Sequence, residues 1–297
     1  MKAILNFLLL VMSIFFISAC DNFDLMESKG KFYYSNPTKN NIIFKIDGKK
    51  YDVLPNHHGV IQLSSGLHTM ADNKNNITTF MVFEHNSGGI INPYHFVYYT
   101  LSEVYSVEGN SDIFKPSIQP VIFHGHELAM PIRSTSAQII DANLFRCHSP
   151  IGEKLPTLIA SKNNNFEGNI QSKCFDESEI TEYIDLKENS SLISEIEKDN
   201  AMNSVNMKFN YEIPSVDFSD PQVQSTAQQL IKLVMQLQES NNTDIHDRLN
   251  TQFHQLSIDF VNAYTASSIN YSSEENERYN AFFKQINQLR NGGIWIR

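Results

Sequence analysis

Residues 123–127 read Phe-His-Gly-His-Glu and carry chemistry-bearing side chains at close spacing. On a strand, His124 and His126 share one face, as paired metal ligands do. His126-Glu127 also opens like the HExxH zinc signature, but Met130 stands at the second histidine position and Pro131 follows, so that motif fails. Gly125 is equally compatible with a turn. The favoured reading is a pair of exposed or hydrogen-bonded histidines. A metal site on His124, His126 and Glu127 is retained as the alternative. His57-His58 lies beside Pro55-Asn56, at the tip of an expected loop.

Other nucleophile and cofactor signatures are missing. The chain has no G-x-S-x-G, no P-loop, no G-x-G-x-x-G and no EF-hand loop. Cys147-His148 places a thiol beside an imidazole, but adjacent residues rarely reach the geometry of a nucleophile and its base. Glu274-Glu275 falls in the first turn of an expected helix, where carboxylates favour the dipole and need no catalytic role. No cofactor is called for, and the expectation is a protein that is not an enzyme.

The three cysteines point elsewhere. Residues 1–20 read MKAILNFLLLVMSIFFISAC. Lys2 supplies a positive start, Ile4 to Ile17 an apolar run, and Ser18-Ala19 the small residues of a cleavage site. The run is too short for a good spanning helix. Ile17-Ser18-Ala19-Cys20 resembles the lipobox of bacterial lipoproteins, with Ile in place of the usual Leu. That resemblance implies cleavage before Cys20 and attachment of a diacylglyceryl group to its sulfur. Several acyl chains on one residue hold a water-soluble body at a bilayer far better than one chain does. Asp21 is similar to the inner-membrane retention signal of enteric lipoproteins, but the membrane, inner or outer, stays open.

With Cys20 acylated, Cys147 and Cys174 remain. An even pair in an exported chain reads as a disulfide, with two buried thiols as the bland alternative. Closing that loop contributes about 3–4 kcal/mol on the chain-entropy argument.

The net charge is −10 over 297 residues. Loss of Lys2 with the leader leaves 22 basic against 33 acidic side chains, or −11. Such a balance disfavours nucleic acid, whose binding needs cations. It suits a basic protein partner.

These residues must be positioned by two kinds of element. Residues 1–19 read as the leader, and 20–30 as a lipidated polar tether. Residues 31–212 read as a β-rich domain. Asp47-Gly48 between two apolar runs predicts a tight hairpin, and further short strands are expected at Val60–Leu63, Leu67–Met70, Ile77–Phe83, Phe96–Leu101, Val121–His124 and Gln138–Ala142. Residues 36–70 resemble PEGA-like or immunoglobulin-like β modules, which implies a binding or structural role. Residues 147–174 read as a surface loop. Residues 176–200 are acidic, with a short helix expected near Ser190–Lys198.

After residue 212 the period changes. Val223, Ala227, Leu230, Val234 and Leu237 share a helical face, with Ser219 or Asp220 as cap and Pro221 at the first position. Thr243 is placed to cap a second helix, carrying Ile245, Leu249, Phe253, Leu256, Phe260 and Ala263. Ser272 and Glu275 resemble a capping box for a third, ended by Gly292-Gly293.

The expected fold class is α+β: a β-rich N-terminal domain, built as a sandwich-like meander, followed by a C-terminal three-helix antiparallel region spanning 213–297. The expected function is that of a membrane-anchored cell-envelope lipoprotein facing the periplasm. It would act as a non-enzymatic protein-binding or scaffolding module, with an immunity-type inhibitor of a toxin as one form of it. A metal-dependent envelope hydrolase and a structural component of a secretion or adhesion machine are the alternatives.

Overall fold

The computed structural model describes residues 28–105, 121–123, 126–128, 132–155, 169–188, 207–267 and 271–297. Strand patterning dominates the first half and helix patterning the second, and the fold is α+β.

The expected hairpin is formed by β2 (Ile42–Ile46) and β3 (Lys49–Val53). Asp47 and Gly48 between them have φ of 49° and 79°. Both positive angles are what a two-residue primed turn requires. The chain then changes sheet. β4 (His57–Gln62) pairs with β1 (Lys31–Asn36), not with its sequence neighbours. β5 (Gly66–Ala71) returns to β2 and forms a second hairpin with β6 (Ile77–Val82).

The result is two facing sheets. One has the order β12-β7-β1-β4, with β7 at Gly89–Ile91 and β12 at Ile139–Ile140. The other has the order β14-β6-β5-β2-β3, with β14 at Ile294–Ile296. Phe32, Ile61, Ile91 and Ile139 from the first meet Phe44, Met70, Phe80, Val82 and Ile294 from the second. This is a sandwich interior, filled by alternate residues of each strand.

Neighbouring residues face the other way and begin further layers. Ile90 and Ile140 pack with Tyr98 and Cys174 of a third sheet. That sheet has the order β11-β8-β13, from Ile132–Thr135, Tyr98–Tyr105 and Asn169–Phe175. Its far face, with Tyr99, Leu101, Ile132 and Phe175, is covered by Ile180 and Ile184 of α1 (Glu177–Glu188). A separate β-hairpin pairs β9 (Val121–Phe123) with β10 (His126–Leu128).

Helix α1 lies in a stretch that sequence patterning left unassigned. Its signal is a cap: the Asp176 carboxylate accepts the Glu179 N–H at 2.9 Å and the Ser178 hydroxyl at 2.8 Å. The short helix expected near Ser190–Lys198 and the asparagine run at 163–165 lie outside the described residues.

The three C-terminal helices are α2 (Pro221–Glu239), α3 (Ile245–Ser267) and α4 (Ser273–Asn291). Asp220 caps α2 by accepting the N–H groups of Gln222 and Val223. Ser272 accepts the Glu275 N–H at 3.1 Å, which is half of a capping box. The other half is redirected. The Glu275 carboxylate accepts the N–H and hydroxyl of Ser219, just ahead of α2, and ties two helix starts together. Thr243 is likewise turned toward the sheet: its carbonyl accepts the Glu84 N–H at 2.8 Å.

The helices do not stand apart from the β-rich part. Met81 and Phe83 from the β6 end, together with Trp295 from β14, are buried among Leu230, Val234, Phe253, Phe260 and Phe282. Gly292 and Gly293 end α4, as expected, but Gly292 has φ −62° and is not left-handed. Gly293 is required for close approach, because a Cβ there would meet the Asn86 Cα at 2.9 Å. The chain then runs straight into β14, which pairs antiparallel with β6. Among the described residues, no helix is long and apolar enough to cross a membrane.

Candidate functional site

The turn after β6 is held by Asn86, which is 4% exposed. Its Nδ2 donates to the Phe83 carbonyl at 2.6 Å, while its Oδ1 accepts the N–H groups of Gly30 and Gly88 at 2.9 and 3.1 Å. Lys29 closes the same corner by pairing with Glu84 at 2.8 Å. His85 stands between Glu84 and Asn86, so its main chain is pinned on both sides.

The His85 ring meets His246, in the first turn of α3, with ring centroids 3.5 Å apart. Both imidazoles turn toward the last turn of α4. There they line one cleft with Arg290 and Asn291. The His246 Nε2 is buried without a partner among the described residues. The Arg290 guanidinium bonds Asn250 Oδ1 at 2.5 Å and lies over the Phe253 ring at 5.6 Å. Together with Asp247 and Asn291, these residues line a cleft of about 220 Å³.

Burial lowers the pKa of both histidines. For His246, desolvation acts first, then the neighbouring His85 and Arg290 charges, and the value falls to about 3. His85 is lowered by desolvation, partly offset by Asp247. The pair is thus neutral at pH 7, with nitrogen lone pairs ready to accept.

This sets a pH dependence of stability. A histidine depressed when folded stabilises fully above its unfolded value of 6.5, and that stability is lost as pH falls toward 3. Asp141, nearly fully buried, acts in the opposite sense. Desolvation raises its carboxyl to about 6, so between about 6 and 3.8 the folded state gains stability as pH falls. The two effects are separated by comparing variants. His246→Gln is expected to lose the acid-side slope, so that its stability relative to wild type rises by about 2 kcal/mol between pH 7 and 4.5. Urea unfolding at a series of pH values measures this; parallel curves would rule out the titrating pair.

The residues expected from sequence fall as follows. Cys20 lies outside the described residues, as does His124. His126 and Glu127 occupy β10, paired with Phe123 and Ile122. Among the described residues, no group of three or more His, Cys, Asp or Glu is placed to hold a metal ion. His57 and His58 are exposed on β4.

Cys147 and Cys174 sit at disulfide distance, with Cα atoms 5.4 Å apart. The pair joins the 144–151 segment to β13, where Ser149 bridges to Lys173. His148 is not aimed at a thiol, since its Nδ1 accepts the Ser172 N–H at 3.0 Å. Next to it, the Lys173 ammonium is almost fully buried and pairs with Glu179 at 2.7 Å.

Sequence reasoning missed His85, His246 and Arg290. Each is a single residue in an ordinary amphipathic context, and only the β14 return brings them together. Comparison of the chain with protein-family models, with curated proteins and with solved structures finds no match.

Proposed function

We propose that the chain is a lipid-anchored, non-enzymatic binding module of the bacterial cell envelope, held at a bilayer through Cys20 and engaging a protein partner. The observation that carries the anchoring is the lipobox-like Ile17-Ser18-Ala19-Cys20. The place where the chain joins the body supports it. Lys29 and Gly30 are fastened to Glu84 and Asn86. From Cys20 to Ser28 an extended chain reaches at most about 28 Å. The body is then held close to the membrane, with the His85 corner toward it. The Cys147–Cys174 pair fits an oxidising compartment.

A protein partner is supported by the uncovered part of the five-stranded sheet. Leu67 is 53% exposed and Ile77 70% exposed. Leu67 lies opposite Met81 in the ladder, and Ile77 is four positions before Met81 on β6, so both share the face on which the helices pack.

The test is fractionation of cells expressing the wild type and Cys20→Ser. The wild type is expected in the membrane fraction, with a mass above that of the cleaved chain by the acyl groups. Cys20→Ser is expected to leave that fraction. Unchanged sedimentation together with no added mass on the native protein would sink the anchoring. Leu67→Lys combined with Ile77→Lys is expected to abolish a crosslink to the partner while leaving anchoring intact.

A further inference from the structure

We propose that the join of α4 and β14 is a binding site for one buried water, held by the Trp295 indole, the Leu289 carbonyl and the Asn143 side chain. The inference rests on the packing around Gly292 and not on the lipid anchor. Two observations carry it. Trp295 is fully buried, and its Nε1 donor has no protein partner among the described residues. The inward end of the Asn143 amide is buried in the same state. Both groups converge on Gly292. A Cβ built there would have Asn143 Nδ2 and Trp295 Nε1 at 3.2 Å and the Leu289 carbonyl oxygen at 3.3 Å as its nearest atoms, its own chain neighbours aside.

The glycine thus keeps carbon away from a point that three polar atoms face. Its backbone does not ask for glycine, since φ is −62°. What Gly292 supplies is the missing side chain. An N–H buried without a partner forfeits its hydration, and buried polar groups are satisfied either by protein or by ordered water.

The walls select the occupant. An indole N–H only donates, so the occupant must accept. A backbone carbonyl only accepts. Leu289 takes the Gly292 N–H at 3.2 Å and keeps a second lone pair, so the occupant must also donate. A metal ion or an ammonium cannot accept from the indole. A halide or a carboxylate cannot donate to the carbonyl. Water does both in a group the size of one atom. It also accepts from Nδ2 or donates to Oδ1, so the choice does not depend on which end of the Asn143 amide faces inward. Three partners is the usual number for a buried water. Asn143 is itself held in place, because its N–H bonds the buried Asp141 carboxylate at 3.1 Å. The water ties together the turn after β12, the last turn of α4 and β14.

Trp295 is the sole tryptophan, so the full chain gives one indole N–H signal by NMR. That proton is expected to show a cross-peak to a bound water, unchanged at two pH values, which separates proximity from proton exchange. Gly292→Ala is expected to expel the water and abolish the cross-peak. The same substitution is expected to raise the unfolding equilibrium constant roughly tenfold, the worth of orphaning one buried donor. In a Trp295→Phe background no indole donor remains to be orphaned. Gly292→Ala is there expected to raise that constant less than about threefold.

Absence of a water cross-peak to the indole would overturn the proposal. If the indole signal then moves on Asn143→Ala, the donor belongs to the Asn143 amide directly. A cross-peak that survives Gly292→Ala would put the water somewhere else and reject this site. Equal costs of Gly292→Ala in both backgrounds would reduce the glycine to a matter of steric fit, and would reject it as well.

Discussion

Trp295→Ala is expected to destabilise the protein by about 3–5 kcal/mol, the largest effect of any single side chain near the C-terminus. Trp295 is fully buried, two residues before Arg297. It lies on the helical side of β14, among Met81, Phe83 and the inward faces of α2, α3 and α4. Its ring also meets Tyr211 edge-on, with centroids 5.8 Å apart. Removing the indole leaves a cavity bounded by a sheet and three helices, none of which can collapse inward without disturbing the others.

A control separates packing from polarity. Trp295 Nε1 is buried without a partner among the described residues. Trp295→Phe keeps most of the ring and discards that unpaired donor, so it is expected to change stability by less than about 1.5 kcal/mol. Chemical denaturation of the three proteins measures both. If the alanine variant loses less than about 1 kcal/mol, β14 is not the element that locks the helices to the sheet.

The second large effect is expected from the cysteine pair. Cys147→Ala combined with Cys174→Ala, or reduction of the wild type, is expected to lower stability by about 3–4 kcal/mol, from the freedom returned to the unfolded chain. The sulfurs join positions 27 apart. Cys174 is fully buried, beside Ile90, Tyr98 and Phe145. Opening the bond therefore loosens the interior between the first and third sheets as well. Hydrogen exchange is expected to rise first in β13, which is stitched to this segment through His148 and Ser149. Identical denaturation midpoints with and without reductant would show that the bond adds nothing.

Local rules carried the sequence reading far where the signal is local. The Asp47-Gly48 turn needs two positive φ angles that few residues accept, so its position was legible. Helices α2, α3 and α4 follow from apolar spacing and from caps at Asp220 and Ser272, all within a few residues. Even α1 had a readable cap at Asp176, masked by the weak amphipathicity of the acidic stretch after it. The cysteine pairing was legible by count alone.

The pairing partners of the strands were not legible. β4 joins β1 and β14 joins β6 because those registers bury Ile61 and Ile294 in the sandwich, a long-range choice with no local signature. The candidate cleft has the same origin. His85 and His246 are ordinary single residues 161 positions apart. They meet because Gly293 lets the chain pass Asn86 closely and because Trp295 draws the end of α4 onto the sheet.

What the residues determined by themselves is the class of fold and the places of the turns and caps, since each depends on neighbours in the chain, together with the pairing of Cys147 and Cys174. What only the tertiary structure decided is which sheet each strand enters, how the helices lie on it, and that two neutral imidazoles and an arginine share one cleft. Those outcomes are set by the burial of apolar faces between distant segments, a sum over many weak contacts that no short stretch encodes.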